Sequence, residues 1–212
     1  ALTGNASASV SFTGTLTDVN AAIAGMTYTP TFHYHGSDTL TVDCTDSTSA
    51  AATQLTAAIS ITATNDAPTL APTALTVQES AANVAFGAAN LGLADPDITS
   101  GQQVPAQMII EINSLPTRGT LTFNGFVVAI GSVFSQPQIA SLKYTHDGSN
   151  VTAGDTDAFN VVVHDGGGGS SALTALNVTL TPTNDAPSAS SSATQYEGQV
   201  KSIGFAVTDR DD

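Results

Sequence analysis

The residues of this chain that could do chemistry are oxygen donors set out in pairs. Asp95-Pro96-Asp97 is matched by Asp209-Arg210-Asp211, and Asn65-Asp66 by Asn184-Asp185. The asparagine pairs belong to one pentapeptide, Thr64-Asn65-Asp66-Ala67-Pro68, which returns residue for residue as Thr183-Asn184-Asp185-Ala186-Pro187, 119 positions on (184 minus 65). Carboxylate and amide oxygens on turns suit a hard divalent cation, which accepts many oxygen ligands in flexible geometry. More acids fall into step when the copies are aligned on the pentapeptide. Asp38 matches Asp157 and Asp46 matches Asp165, each without a gap. Leu40, Val42 and Cys44 then fall on Phe159, Val161 and Val163, and a three-residue gap brings Tyr28 onto Tyr144. Glu197 stands 13 residues past Asn184, as Glu79 stands 14 past Asn65. A merely solvated surface does not require acids to recur in register.

Other constellations are weaker. His33 and His35 alternate as on one strand face near Asp38, but no third strong ligand stands at a fixed spacing, so zinc is not expected. His146 and His164 adjoin Asp147 and Asp165 without a serine in a strained elbow or another activated nucleophile. Glu79, Glu111 and Glu197 form no paired-carboxylate signature, the first two falling in separate strands. The run Gly166 to Gly169 lacks the following Asp of a calcium-binding nonapeptide and the Lys and helix of a phosphate cradle. Lys143, the one amine of the middle region, is out of phase with Leu142 and Tyr144 and should face solvent. No enzymatic activity is expected.

Strands must position the acids. Each pentapeptide follows an alternating apolar run: Ile59 and Ile61 before the first, Val178 and Leu180 before the second. A spacing of this size exceeds that of the usual solenoid repeats, so each unit should be a whole domain joined to the next by a short linker. The proline fixes its own backbone and holds the residue before it extended, which makes the linker stiff. The expected division is 1–66 as the latter part of one repeat, 67–185 as a complete repeat and 186–212 as the start of a third. In the first, strands are expected from Val10, Met26, Thr39 and Thr56, with a short helix capped by Asp18. In the second, Leu75 and Val77 open a strand that ends near Glu79, and Met108, Ile110 and Ile112 share a buried face. Asn124-Gly125 marks a hairpin. Ser135 caps a short helix with Pro137 in its first turn. Leu142 with Tyr144, Phe159 with Val161 and Val163, and Leu176 with Val178 and Leu180 complete the core.

Lys and Arg number 4 against 18 Asp and Glu, a net charge of −14. That excludes nucleic acid and an anionic membrane as partners, since both need a basic footprint. Fifteen of the acids are Asp, a turn residue rather than a helix-surface one. Cys44 is alone, so no internal disulfide is available, and its alternation with Leu40 and Val42 predicts a core position. Abundant Thr, Ser, Ala, Val and Gly in short runs predict an all-β fold.

The pentapeptide, the Glu after the first strand, the Asp-x-Asp turn and the Asp-Gly at 165–166 resemble bacterial cadherin-like repeats of large secreted or surface adhesins. The middle repeat is similar to the chondroitin-sulfate-proteoglycan type, through Leu115-Pro116-Thr117-Arg118-Gly119-Thr120-Leu121, Phe134 and Leu142-Lys143-Tyr144-Thr145-His146-Asp147-Gly148. Gly14 to Asn20 and Tyr28-Thr29-Pro30 are similar to the bacterial adhesin variety. The resemblance implies tandem Greek-key β-sandwiches with calcium at the joints and an extracellular location. Carried over, the first joint would draw on Asp38, Asn65, Asp66, Asp95, Asp97 and Asp165. The second would draw on Glu79, Asp155, Asp157, Asn184, Asp185, Asp209 and Asp211. The implied function is a calcium-rigidified extension and adhesion module whose partners are calcium, neighbouring repeats and a surface glycan or protein. A glycan- or receptor-binding domain is the alternative, with Tyr34 and Phe126 as its candidate platforms.

Overall fold

A computed structural model describes residues 2–3, 8–48, 50–51, 54–191, 197–198 and 204–210 of the chain. It separates into two compact units, Ala1–Ala63 and Thr64–Asp212. Both are mostly β, and among the described residues no helix is long and apolar enough to cross a membrane.

Alternating apolar residues build two sheets in the second unit. One has five strands in the order Val133–Ser135, Ile109–Ile112, Thr156–His164, Thr174–Thr181 and Leu75–Gln78. The other has four, in the order Phe126–Val127, Gly119–Phe123, Leu142–His146 and Val84–Ala85. Leu75–Gln78 runs parallel to Thr174–Thr181. The remaining pairings within these sheets are antiparallel. Successive side chains point to opposite faces of a strand. Ile110, Ile112, Phe159, Val161, Val163, Leu176, Val178 and Leu180 from one sheet therefore meet Leu121, Leu142 and Tyr144 from the other in a single core. Each large apolar side chain buried there contributes roughly 1.5–3 kcal/mol. Asn124 (φ 50°) and Gly125 (φ 85°) make the expected tight turn, with Phe123 opposite Phe126. Gln136–Ser141 forms the expected short helix, with 3-10 geometry and a proline in its first turn.

The first unit departs from expectation in four places. Its helix, Leu16–Ala24, is capped by Thr15 rather than Asp18, whose backbone N–H donates to the Thr15 hydroxyl while its carboxylate accepts from it. Met26 to Pro30 makes no strand ladder, and His33 lies in a turn at φ 61°, so the two histidines do not alternate along a strand. Cys44 is exposed. Val163, its counterpart, is fully buried.

The repeat extends to individual hydrogen bonds. Strand Gly36–Val42 pairs with Leu55–Ile61 so that Asp38 faces Ile59, and 119 positions on Asp157 faces Val178. Bridges Thr45–Ala51 and His164–Ser170 keep the same offset. So do the loop closures Asp46 N to Ala50 O and Asp165 N to Gly169 O, each 3.0 Å. After each pentapeptide a short antiparallel pair forms: Thr69–Leu70 with Leu93–Ala94, and Ser188–Ser191 with Phe205–Thr208.

Candidate functional site

The first cluster gathers around the linker at Asn65-Asp66. Asp95 caps the short helix Pro96–Thr99, its Oδ1 accepting from Asp97 N at 2.7 Å. Asp97 Oδ2 accepts from the backbone N–H of Asp66 at 2.9 Å, which ties the linker to this turn. Asn65 donates its amide to Asp165 Oδ2 at 2.9 Å, and its own amide oxygen accepts from Gln103 Nε2 at 2.6 Å. Asp165 Oδ1 in turn accepts from Gly167 N and Gly169 N, at 2.8 and 2.7 Å. The glycine run is thereby explained. A Cβ on Gly167 would lie 1.6 Å from Asn65 Oδ1, and one on Gly169 would lie 2.3 Å from Asp165 Oδ2.

Asp95, Asp97, Gln103 and Asp165 are all buried. Asp95 Oδ2, Asp97 Oδ1 and Gln103 Oε1 are buried oxygens that no hydrogen-bond donor reaches. Burial raises the Asp95 carboxyl above its ordinary range, aided by the charges of Asp97 and Asp165 and opposed by the bond from Asp97 N. Burial acts the same way on Asp165, but donation from Asn65, Gly169 and Gly167 outweighs it and holds that carboxyl low. Unpartnered buried carboxylate oxygens are costly. Carboxylates and amides without thiol or imidazole fit a hard cation such as calcium and not zinc. Among the described residues no three His, Cys, Asp or Glu side chains gather as a complete metal site. An ion here would therefore rely on Asp95 and Asp97 together with amide oxygens, backbone carbonyls and water.

Asp38 and Asp157 each accept a tyrosine hydroxyl. Tyr144 OH donates to Asp157 Oδ2 at 2.8 Å, and Tyr28 OH donates to Asp38 Oδ2 at 2.6 Å. Asp157 also accepts from the backbone N–H groups of Thr117, Arg118 and Ala158, each at 2.9 Å. Thr39 N gives Asp38 the bond that Ala158 N gives Asp157. Burial raises the Asp157 carboxyl, but donation from Thr117, Arg118 and Tyr144 prevails and lowers it. The Thr117-Arg118-Gly119 segment thus wraps a carboxylate anchor. Gly119 is needed because a Cβ there would lie 2.3 Å from Tyr144 Cζ.

The remaining acids of the second joint divide. Asp155 accepts from Thr152 N and pairs with Arg118 Nη1 at 2.8 Å; these two contacts, in that order, lower its carboxyl. Asn184 Nδ2 donates to Asp185 O at 3.1 Å, as Asn65 Nδ2 does to Asp66 O at 3.3 Å. Glu79, its side chain wholly buried, lies 3.3 Å from Arg210 Nη2, while Arg210 Nη1 lies 3.3 Å from Asp185 Oδ2. Asp209 is half-buried, and Asp211 lies outside the described residues.

Two residues of these clusters went unread in the sequence. Gln103 carried no motif; it reaches the site because the N–H groups of Gln102 and Gln103 both close onto Asp97 O. Arg210 was legible only as a basic residue inside an Asp-x-Asp turn that elsewhere holds Pro96. A third grouping lies at the His164–Ser170 bridge, where His164 joins Ser170 Oγ at 2.8 Å to Glu111 Oε2 at 3.0 Å. The N–H groups of Gly167 and Gly169 in the adjoining loop donate to Asp165 Oδ1.

Comparison with known proteins finds no matching family model, no matching curated protein and no matching solved structure.

Proposed function

We propose that the chain is an extension and adhesion module of a large extracellular or cell-surface protein, built of tandem cadherin-like Greek-key sandwiches and stiffened by calcium. The observation that carries this reading is the pair Asp95 and Asp97, buried, each with an oxygen no donor reaches, at a turn already tied to the linker through Asp66 N. A cation bound there relieves the repulsion among Asp95, Asp97 and Asp165 and holds the linker to the domain that follows it. Binding free energy then supplies the stiffening, and the ion stabilises the fold by mass action. Catalysis has no part in the proposal.

The test is the double substitution Asp95→Asn and Asp97→Asn, read by calcium titration and by hydrogen exchange at the Asp66 amide. Loss of calcium affinity with faster exchange supports the reading. Unchanged affinity and exchange would sink it.

A receptor-binding role has one observation of its own. Phe123, Phe126, Val127, Val133 and Phe134 line an apolar groove of about 460 Å³ beside the Asn124-Gly125 hairpin, with Phe126 79% exposed. Tyr34 fits such a role less well, since its hydroxyl donates to Ser37 O. Phe126→Ser would abolish surface attachment if this groove is the contact and leave it intact if adhesion lies elsewhere.

A further inference from the structure

We propose that Arg210 is the built-in cation of the second joint, closing it without a metal ion. Its guanidinium meets three groups of the preceding repeat and linker: Glu79 Oε1 at 3.3 Å, Asp185 Oδ2 at 3.3 Å and the carbonyl oxygen of Gly148. The Glu79 side chain has no exposed surface and neither of its oxygens accepts a hydrogen bond, so the Arg210 guanidinium meets it as an ion pair. An isolated carboxylate in such a place is strongly unfavourable, and removing its counter-charge costs more than the pair contributes. Arg210 is the ion-pair partner of that buried carboxyl group among the described residues. A guanidinium suits this position because it is planar, always charged, and presents several donors in a fixed fork.

The receiving surface is held in place by the preceding repeat. Glu79 directly follows the opening strand Leu75–Gln78, and its N–H donates to Thr181 O. His146 Nδ1 accepts from Ser80 N and from Gly148 N, both at 3.2 Å, and so joins the corner after Glu79 to the loop that offers the Gly148 carbonyl. The corresponding position of the first joint is Pro96, which has no charge to give. There the buried acids Asp95, Asp97 and Asp165 have no ion-pair partner among the described residues. One repeat boundary carries its cation in the sequence; the other has oxygen donors in its place. The Arg210 assignment does not depend on calcium occupying the first cluster.

The experiment uses the whole 212-residue chain. Amide exchange of the Ser188–Ser191 and Phe205–Thr208 pair is followed by mass spectrometry in calcium and in chelator, for the parent chain and Arg210→Gln. The core strands Thr156–His164 and Thr174–Thr181 report in the same experiment that the preceding repeat remains folded. Protection of the pair in the parent chain should be the same with and without calcium. Arg210→Gln should lower it by about ten-fold or more. Arg210→Lys, which keeps the charge but loses the fork, should fall between. Unchanged protection in Arg210→Gln, or protection in the parent chain that collapses on chelation, overturns the assignment. If the first cluster proves not to bind calcium, the Arg210→Gln result is unaffected, so the two proposals fail separately.

Discussion

The same tyrosine-to-aspartate hydrogen bond occurs twice, once buried and once exposed, and this sets length against burial. Tyr28 to Asp38 is the shorter bond, 2.6 Å against 2.8 Å for Tyr144 to Asp157. Length alone would make Tyr28 the more important residue. Burial predicts the reverse, because Tyr144 is fully covered whereas Tyr28 is 46% exposed and has water as an alternative partner. A hydrogen bond to a charged group contributes about 1.5–3 kcal/mol when water cannot replace it. Tyr144→Phe keeps the ring in the core and removes only the hydroxyl. The expected loss is about 2 kcal/mol, lowering the melting temperature by roughly 5–10 °C for a domain of this size. Tyr28→Phe should leave the transition of the second unit unmoved. Thermal and urea unfolding of both variants, followed by circular dichroism, make the comparison. A loss under about 0.5 kcal/mol for Tyr144→Phe would refute the assignment of Asp157 as a buried anchor. Ultraviolet titration offers an independent reading for Tyr28, whose phenol is pushed up to about 12, first by its bond to Asp38.

Acid should act through Asp157. Its folded-state carboxyl is held low, so its stabilisation is present above the unfolded value near 4 and is lost as pH falls through the folded one. The melting temperature should therefore drop below about pH 4, and Asp157→Asn should flatten that slope from a lower starting stability. Gly167→Ala places a methyl group 1.6 Å from Asn65 Oδ1. It should cost roughly 1–3 kcal/mol and free the linker amide from Asp165, seen as faster exchange of Asn65 side-chain protons by nuclear magnetic resonance.

Much of this fold was legible because both of its signals are periodic. The two-residue alternation of Ile110 and Ile112 or of Phe159, Val161 and Val163 states which face is buried, and the structure buries it. The 119-residue offset carried over to strand register and loop closure. What failed was local chemistry that competes with the pattern. Thr15 outdid Asp18 as a cap because its hydroxyl reaches the third N–H of the helix. Cys44 had the alternation of a core residue and is exposed. Among the acids, Asp157 has its oxygens filled by N–H and O–H donors, whereas Asp95 and Asp97 each keep an oxygen unmet. That distinction depends on which backbone groups fold back onto each carboxylate. Arg210 shows the same limit: its role follows from the buried Glu79, distant in sequence.

The most direct test of the calcium proposal is thermal unfolding of the chain in calcium and in chelator, run beside Asp95→Asn. The Asp95 carboxyl is raised in the folded state, so any stabilisation tied to its proton is lost as pH rises through that value, and at neutral pH its ionised form opposes folding. Asparagine keeps the oxygen that caps Asp97 N and removes the charge. Calcium at about one hundred times its dissociation constant should stabilise the parent chain by about 2.7 kcal/mol. In chelator, Asp95→Asn should melt above the parent, and its response to calcium should be largely gone. Coincident parent melts in calcium and chelator, or an Asp95→Asn chain that keeps the full calcium shift, would contradict calcium binding at this turn.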